Sequence, residues 1–471
     1  MGTLQRGNPS FRRNKGALII PAIAKQKLIG ALFLMGLIAG LSCVPTERRT
    51  PPAYRRQGTQ AESLTVFFTG GTLGALKPCG CSGGQLGGFE RRPAVLNAVP
   101  RQRRLAVDIG SFVAGEAEQD LIKYTIILQA LRQLDYDVVS LSEKDIDIGA
   151  TLGELDSAEL GFNLIGAYAG ADIDLPAKYT KTLALGGRAV AVTIAALKTK
   201  SGSLDEVREL FSPQAGAQTL NVLIVDQCSP DIAESVAAAA PSVDCIICPS
   251  ESDEPIIVGD PDKKPLVFSV GRFGRYVCKL QATTDGSRQA LKLSLDVIPV
   301  SEDLAKDASL VNLYEDYQQF VKESNLLQKH LRVALPNDLE YVGSASCEPC
   351  HDSEYEKWRG TAHASAYATL EKIGSQFDPE CVVCHVVGLD YESGFVSAEQ
   401  TVDLKDVGCE NCHGPGSEHN RSGGWAKTTE PKSACIVCHT PEHSGEYAGN
   451  ERSFREKIVH WAEPNAANHV K

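Results

Sequence analysis

The chain has 471 residues, of which 43% are hydrophobic and 23% charged, with a formal net charge of -12 at pH 7. That length exceeds one ordinary hydrophobic core, so two domains and an export segment are expected. The acidic balance argues against nucleic acid as a partner and points instead to basic patches on other proteins.

Residues 1–43 open the chain. Arg12, Arg13, Lys15, Lys25 and Lys27 precede an apolar run from Leu28 to Leu41, followed by Ser42 and Cys43. Charge followed by an apolar stretch is the layout of a secretory signal, and the run is short for a comfortable membrane span. Cys43 is a candidate lipoprotein cysteine, although Gly40 stands where such cleavage sites usually carry Leu. A lipid anchor and an uncleaved membrane anchor both stay open. Either places the rest of the chain on the exported, periplasmic side, with residues 44–61, rich in Arg, Pro, Thr and Gln, as a tether.

Residues 62–300 alternate short apolar runs with helical segments. Strands are predicted over 64–68, 105–109, 137–141, 220–225, 243–247 and 265–270, and helices over 120–134 and 230–239. The pattern predicts an α/β layered sandwich. The stretches Phe68-Thr-Gly-Gly-Thr-Leu-Gly74, Val107-Asp-Ile-Gly-Ser111, Ser142-Glu-Lys-Asp145, residues 243–252 and Gly271-Arg-Phe-Gly-Arg-Tyr276 resemble the metallophosphoesterase domain of the 5'-nucleotidase family. That resemblance implies two metal ions held by aspartate, asparagine and histidine ligands. Here Gly71 and Leu73, Ser111, Glu143 and Lys144, and Ser250 and Ser252 stand at those positions, and the first histidine of the chain is His330. The scaffold is therefore expected without the two-metal chemistry. Cys79 and Cys81 in a Gly-rich loop, and Cys245 and Cys248 on a later strand, are expected at one sheet edge. Disulfides in an oxidising compartment are the first reading, a four-thiolate metal or iron–sulfur site the second.

A helical connector is expected over 301–340, where Leu310, Leu313, Tyr317 and Phe320 recur at helical spacing and Pro336 closes the pattern. All ten histidines and eight of the fifteen cysteines lie from His330 onward, a composition break that marks a second domain over 341–471.

That domain carries Cys-x-x-Cys-His four times: Cys347, Cys350 and His351; Cys381, Cys384 and His385; Cys409, Cys412 and His413; Cys435, Cys438 and His439. Two thiols at this spacing reach the two vinyl groups of one porphyrin, and the adjacent histidine lies under the iron. Residue frequencies supply roughly 0.01 such motifs by chance in a chain of this length. Zinc, the competing reading, does not explain why His follows immediately every time. Four covalently bound c-type haems are therefore expected, in a mainly α-helical, loop-rich module. Sixth ligands are sought among the other histidines, with His363, His419 and His460 the candidates.

The stretches around Cys347 to His351, Trp358 to His363, Cys381 to Gly388 and Val407 to His419 resemble the cytochrome c-554 family of tetrahaem electron carriers. The resemblance implies that His419 caps the haem on His351 and His363 the haem on His413. His460 is then the best match for the haem on His439, with His443 as its rival. The haem on His385 is left five-coordinate. The function expected is electron transfer with redox protein partners. A multihaem oxidoreductase acting on a small nitrogen or sulfur compound at His385 is the alternative, and a phosphoesterase with an attached cytochrome is disfavoured by the missing ligands.

Overall fold

The computed structural model describes residues 63–78, 84–166, 173, 175–198, 204–211, 218–284, 291–431, 434–440, 443–444 and 446–460. The expected export segment with Cys43, the expected tether, and Cys79 and Cys81 lie outside the described residues.

Two sheets form the first domain. The strands are β1 (Ser63–Thr69), β2 (Arg104–Asp108), β3 (Val138–Ser140), β4 (Asn163–Ile165), β5 (Lys178–Leu185), β6 (Arg188–Leu197), β7 (Gln218–Val225), β8 (Cys245–Cys248), β9 (Leu266–Ser269), β10 (Tyr276–Thr283) and β11 (Lys292–Pro299). Their order is β11-β10-β1-β2-β3-β4 in one sheet and β5-β6-β7-β8-β9 in the other. β1 to β4 run parallel, as do β6 to β9, while β10, β11 and β5 are antiparallel.

Side-chain alternation explains the layering. Leu64, Val66 and Phe68 of β1 join Val190, Val192, Val222, Ile224 and Phe268 of the second sheet in one buried cluster. Phe67, one residue out of phase, joins the helix α1 (Glu118–Gln133) in another. With period two, one apolar strand thus feeds two cores. The outer face of the second sheet is covered by α2 (Pro230–Ala239), which buries Val236 beside Leu223 and Ile246. Each such fully buried Leu, Ile or Phe contributes about 1.5–3 kcal/mol relative to exposure, which makes these layers the main source of stability.

The connector α3 (Ala308–Glu323) starts where Asp307 accepts the backbone N–H of Ser309 at 2.9 Å and of Leu310 at 3.3 Å. It buries Leu310, Leu313, Tyr317 and Val321 in the same cluster as α1, so it is the outer layer of the sandwich. Phe320 is only partly buried.

The predicted strands over 64–68, 105–109 and 220–225 coincide with β1, β2 and β7 to within a few residues. Sequence reasoning passed over β5 and β6, a hairpin turned by Gly186 and Gly187 with φ of 57° and 75°. Two consecutive left-handed residues at a two-residue turn need glycine, and that dipeptide was the available signal.

The second domain has little regular structure. Short helices surround a small core of Tyr367, Leu370, Val382, Val386, Val387, Leu389, Phe395 and Leu404, to which Leu327 from the connector adds. The expected fold class holds in both parts: an α/β layered sandwich, then a helical, loop-rich module.

Candidate functional site

The four Cys-x-x-Cys-His segments converge. Cys347 lies beside Cys409, Cys384 beside Cys438, and Cys412 near Cys435. The first motif is therefore near the third, the third near the fourth, and the fourth near the second.

The local sequence explains part of this. In α4 (Cys409–His413) the two residues between the cysteines act as clamps. The buried Glu410 carboxylate accepts backbone N–H from Val342 at 3.0 Å, Gly343 at 2.8 Å and Gly416 at 2.7 Å. Asn411 accepts the Gly408 N–H at 2.8 Å and donates to the Val386 carbonyl at 2.8 Å. One short helix is thus tied to the chain just before the first motif and just after the second. Trp358 donates to the Val407 carbonyl at 2.9 Å and holds the approach to the same helix.

Three pairs of imidazoles face one another. His351 and His419 have ring centres 6.1 Å apart, His363 and His439 6.2 Å, and His413 and His460 6.1 Å. Two imidazoles bound to opposite faces of one iron, each with a metal–nitrogen bond of about 2 Å, put their ring centres about 6 Å apart, so the spacing suits haem.

The second ring nitrogen supports the same conclusion. Nδ1 of His419 lies 2.6 Å from the Ala426 carbonyl, that of His460 3.0 Å from the Ile458 carbonyl, and that of His385 2.7 Å from the Ala366 carbonyl. His439 Nδ1 lies 3.0 Å from the Ser444 hydroxyl. An Nδ1–H donated to oxygen fixes the tautomer that offers Nε2 to a metal. Burial pushes His363, His385, His413 and His439 below the ordinary histidine range, which keeps these rings neutral with the lone pair available.

The pairing of His351 with His419 is the one the resemblance implied. The other two are exchanged: His363 faces His439 rather than His413, and His460 faces His413 rather than His439. Tyr447 stacks on the face of His439 at 5.0 Å, and Phe454 of the last helix, α5 (Glu451–Ile458), packs edge-on against it at 5.5 Å. The chain two residues beyond the helix reaches His413 instead. His443 is engaged with the Thr440 hydroxyl at 2.8 Å, and His330 with Asp390 at 2.7 Å. Among the described residues no imidazole faces His385 at the spacing of the three pairs.

A cleft of about 2010 Å³ runs between the domains. His363, His385 and His439 line one side, and Leu73, Lys77, Phe273 and Arg275 of the sandwich edge line the other. Such a volume exceeds the roughly 300–1,000 Å³ of a single small-ligand pocket.

At that edge the residues standing in the metal-ligand positions have other partners. Lys144 donates to the Ala114 carbonyl at 2.5 Å and Glu143 pairs with Lys198 at 2.8 Å. Gly71 has φ +58°, and a Cβ there would lie 2.8 Å from the Gly271 carbonyl oxygen. An aspartate at Gly71 would therefore strain the loop as well as clash. Leu73, Ser111 and Phe273 are also left-handed, with φ of 49°, 60° and 60°.

The first reading of the sandwich cysteines, disulfides, is met at one pair: Cys228 and Cys248 are bonded. Cys245, three residues before Cys248 on β8, points to the opposite face and is buried between the sheets near Cys278. Strand alternation separates the two sulfurs, so Cys245 and Cys248 do not serve one metal site.

Paired thiols beside paired imidazoles suit covalently attached haem, and this arrangement follows an α/β sandwich in the chain. Residues 346–414 match the family model described as Cytochrome c554 and c-prime. The chain is 33% identical over 109 residues to cytochrome c-554 of Nitrosomonas europaea, an alignment covering 19% of this chain and 46% of that relative. The chain thus spans about half the length of the curated relative it matches. Solved structures of similar shape include the NAD nucleotidase of Haemophilus influenzae, with TM-score 0.44 and 13% identity over 74% of this chain and 75% of that one. Another is a 5'-nucleotidase precursor from Thermus thermophilus, with TM-score 0.41 and 16% identity over 66% and 68%. The resemblance to the cytochrome c-554 family seen in the sequence is met by the first two of these matches.

Proposed function

We propose that residues 341–471 are an exported tetrahaem electron carrier and that the sandwich is a non-catalytic scaffold or docking domain. The observation that carries this reading is the set of three imidazole pairs at 6.1–6.2 Å beside Cys-x-x-Cys-His segments. Cys347 and Cys350, Cys381 and Cys384, Cys409 and Cys412, and Cys435 and Cys438 would hold four c-type haems as thioethers. His351, His385, His413 and His439 would ligate the irons from one side, and His419, His460 and His363 would close three of them from the other. Bound there, haem iron supplies one-electron ferric–ferrous cycling.

The neighbouring cysteines bring the four motifs close together, so haems held there would lie near one another. Nδ1 hydrogen bonds hold the rings in place, so little has to move when charge changes. The partners are redox proteins with basic patches, matched to the acidic chain, and not nucleic acid. The protein works on the periplasmic side, held at the membrane by lipid or by its apolar N-terminal segment.

A second reading, an oxidoreductase for a small nitrogen or sulfur compound, is favoured by one observation: His385 lines the cleft with no imidazole opposite it among the described residues. Electron paramagnetic resonance of the oxidised protein tests both. Three low-spin centres and one high-spin centre that changes with cyanide or nitric oxide are expected. Four low-spin centres indifferent to both would remove the open iron, and with it the enzymatic reading.

A further inference from the structure

One buried carboxylate ties the sandwich to the segment that bears the second haem motif. Asp378 is 6% exposed and stands immediately before the short helix Pro379–Val382, which carries Cys381. Its Oδ1 accepts the Glu380 N–H at 2.9 Å and the Gln119 side-chain amide at 2.8 Å, and its Oδ2 accepts the Tyr317 hydroxyl at 2.9 Å. Gln119 also donates to the Tyr317 oxygen at 2.8 Å, which closes a three-membered network. Gln119 belongs to α1 and Tyr317 to α3, both elements of the sandwich.

The connection continues to the ligand itself. The Asp378 carbonyl accepts the N–H of Cys381 at 3.0 Å and of Val382 at 2.9 Å, and the Val382 carbonyl accepts that of His385 at 2.8 Å. Two contacts flank this lock. Lys123, one turn beyond Gln119 on α1, reaches Glu380 at 2.5 Å, and Gln318 donates to the Ile373 carbonyl at 2.8 Å and the Ser375 hydroxyl at 2.7 Å. Burial first, then the neighbouring carboxylate, push the Tyr317 hydroxyl well above its ordinary range, so it stays a donor.

A buried carboxylate that has lost its donors does not keep its position, because nothing replaces the water it gave up. Partners beyond the direct ligands also set the potential and accessibility of a metal centre. Leu73, Lys77, Phe273 and Arg275 of the sandwich edge line the same cleft as His385.

We propose that the sandwich positions the haem held by Cys381, Cys384 and His385 through the Gln119–Tyr317–Asp378 lock, and that it thereby sets that haem's potential and the entry of small ligands to its open face. This rests on the haem-binding reading above; only the ligand-entry clause depends on the open iron. The sandwich then has a role in the electron carrier that involves no phosphoester chemistry. Gln119 and Tyr317 are positioning residues, since they act through Asp378.

The test uses the full-length, haem-loaded protein with Gln119→Leu, Tyr317→Phe and both together. A redox titration resolves the separate midpoints, and flash photolysis gives the association rate of carbon monoxide with the reduced protein. One midpoint of four is expected to shift while three stay, and the carbon monoxide rate is expected to rise about tenfold, the lower range for loss of a supporting partner. Lys123→Ala, which leaves the buried network intact, is expected to give a smaller shift of the same midpoint and serves if the double variant does not fold. Four unchanged midpoints, or a uniform shift of all four, overturn the proposal. If neither wild type nor variant binds carbon monoxide, the open iron is wrong, and the midpoints alone still decide whether the sandwich positions this haem.

Discussion

Cys409→Ser combined with Cys412→Ser removes one haem and unfolds most of the C-terminal module. This is the largest effect the structure predicts. Cys409 lies beside Cys347 and Cys412 near Cys435, so this motif stands between the first and the fourth. Among the described residues, the apolar core of this module is small and gathers Val386, Phe395 and their neighbours. A module with so little side-chain core relies on bound cofactor for its packing. The cost is on the order of 4–5 kcal/mol, the range reached when a core element is lost. Haem content by pyridine haemochrome, thermal unfolding of the module and electron flow between its ends check this. Full retention of stability with one haem missing would show that the third motif is peripheral.

His363→Ala converts one low-spin haem entirely to high spin, and the affected centre is the one attached at Cys435 and Cys438. The ring of His363 stands 6.2 Å from that of His439, whereas His413 already has His460 at 6.1 Å. The pairing is tested in a background carrying Cys435→Ser and Cys438→Ser. There His363→Ala is expected to be spectroscopically silent, because its haem is gone. A new high-spin signal in that background would return His363 to His413, the arrangement implied by the family resemblance.

The two parts of the molecule were legible to different depths. Haem attachment is written in contiguous residues, so Cys-x-x-Cys-His needed no knowledge of the fold. Likeness pairs His351 with His419, the ring nearest it here, and it assigns His413 and His439 partners other than the rings that lie near them. Which late histidine lies near which ring is set by how the chain after Cys438 folds, including the packing of Tyr447 and Phe454 on His439, and neither residue carries a chemical signature. Strands β1, β2 and β7 announced themselves as apolar runs. β11 is an edge strand and β10 its neighbour, each with one face partly exposed, which breaks such a run. The Cys245-x-x-Cys248 spacing suggested a shared site, yet strand alternation sends the two sulfurs to opposite faces. Asn411, Glu410 and Asp378 clamp segments that lie 25, 67 and 259 residues away, contacts visible only after folding.

The most direct test of the whole account is the mass of the mature exported protein together with its pyridine haemochrome spectrum. A polypeptide heavier by four haems, with the absorbance of four c-type centres per chain, is the predicted result. A colourless protein, or one that carries zinc at Cys347 to His439, would contradict it.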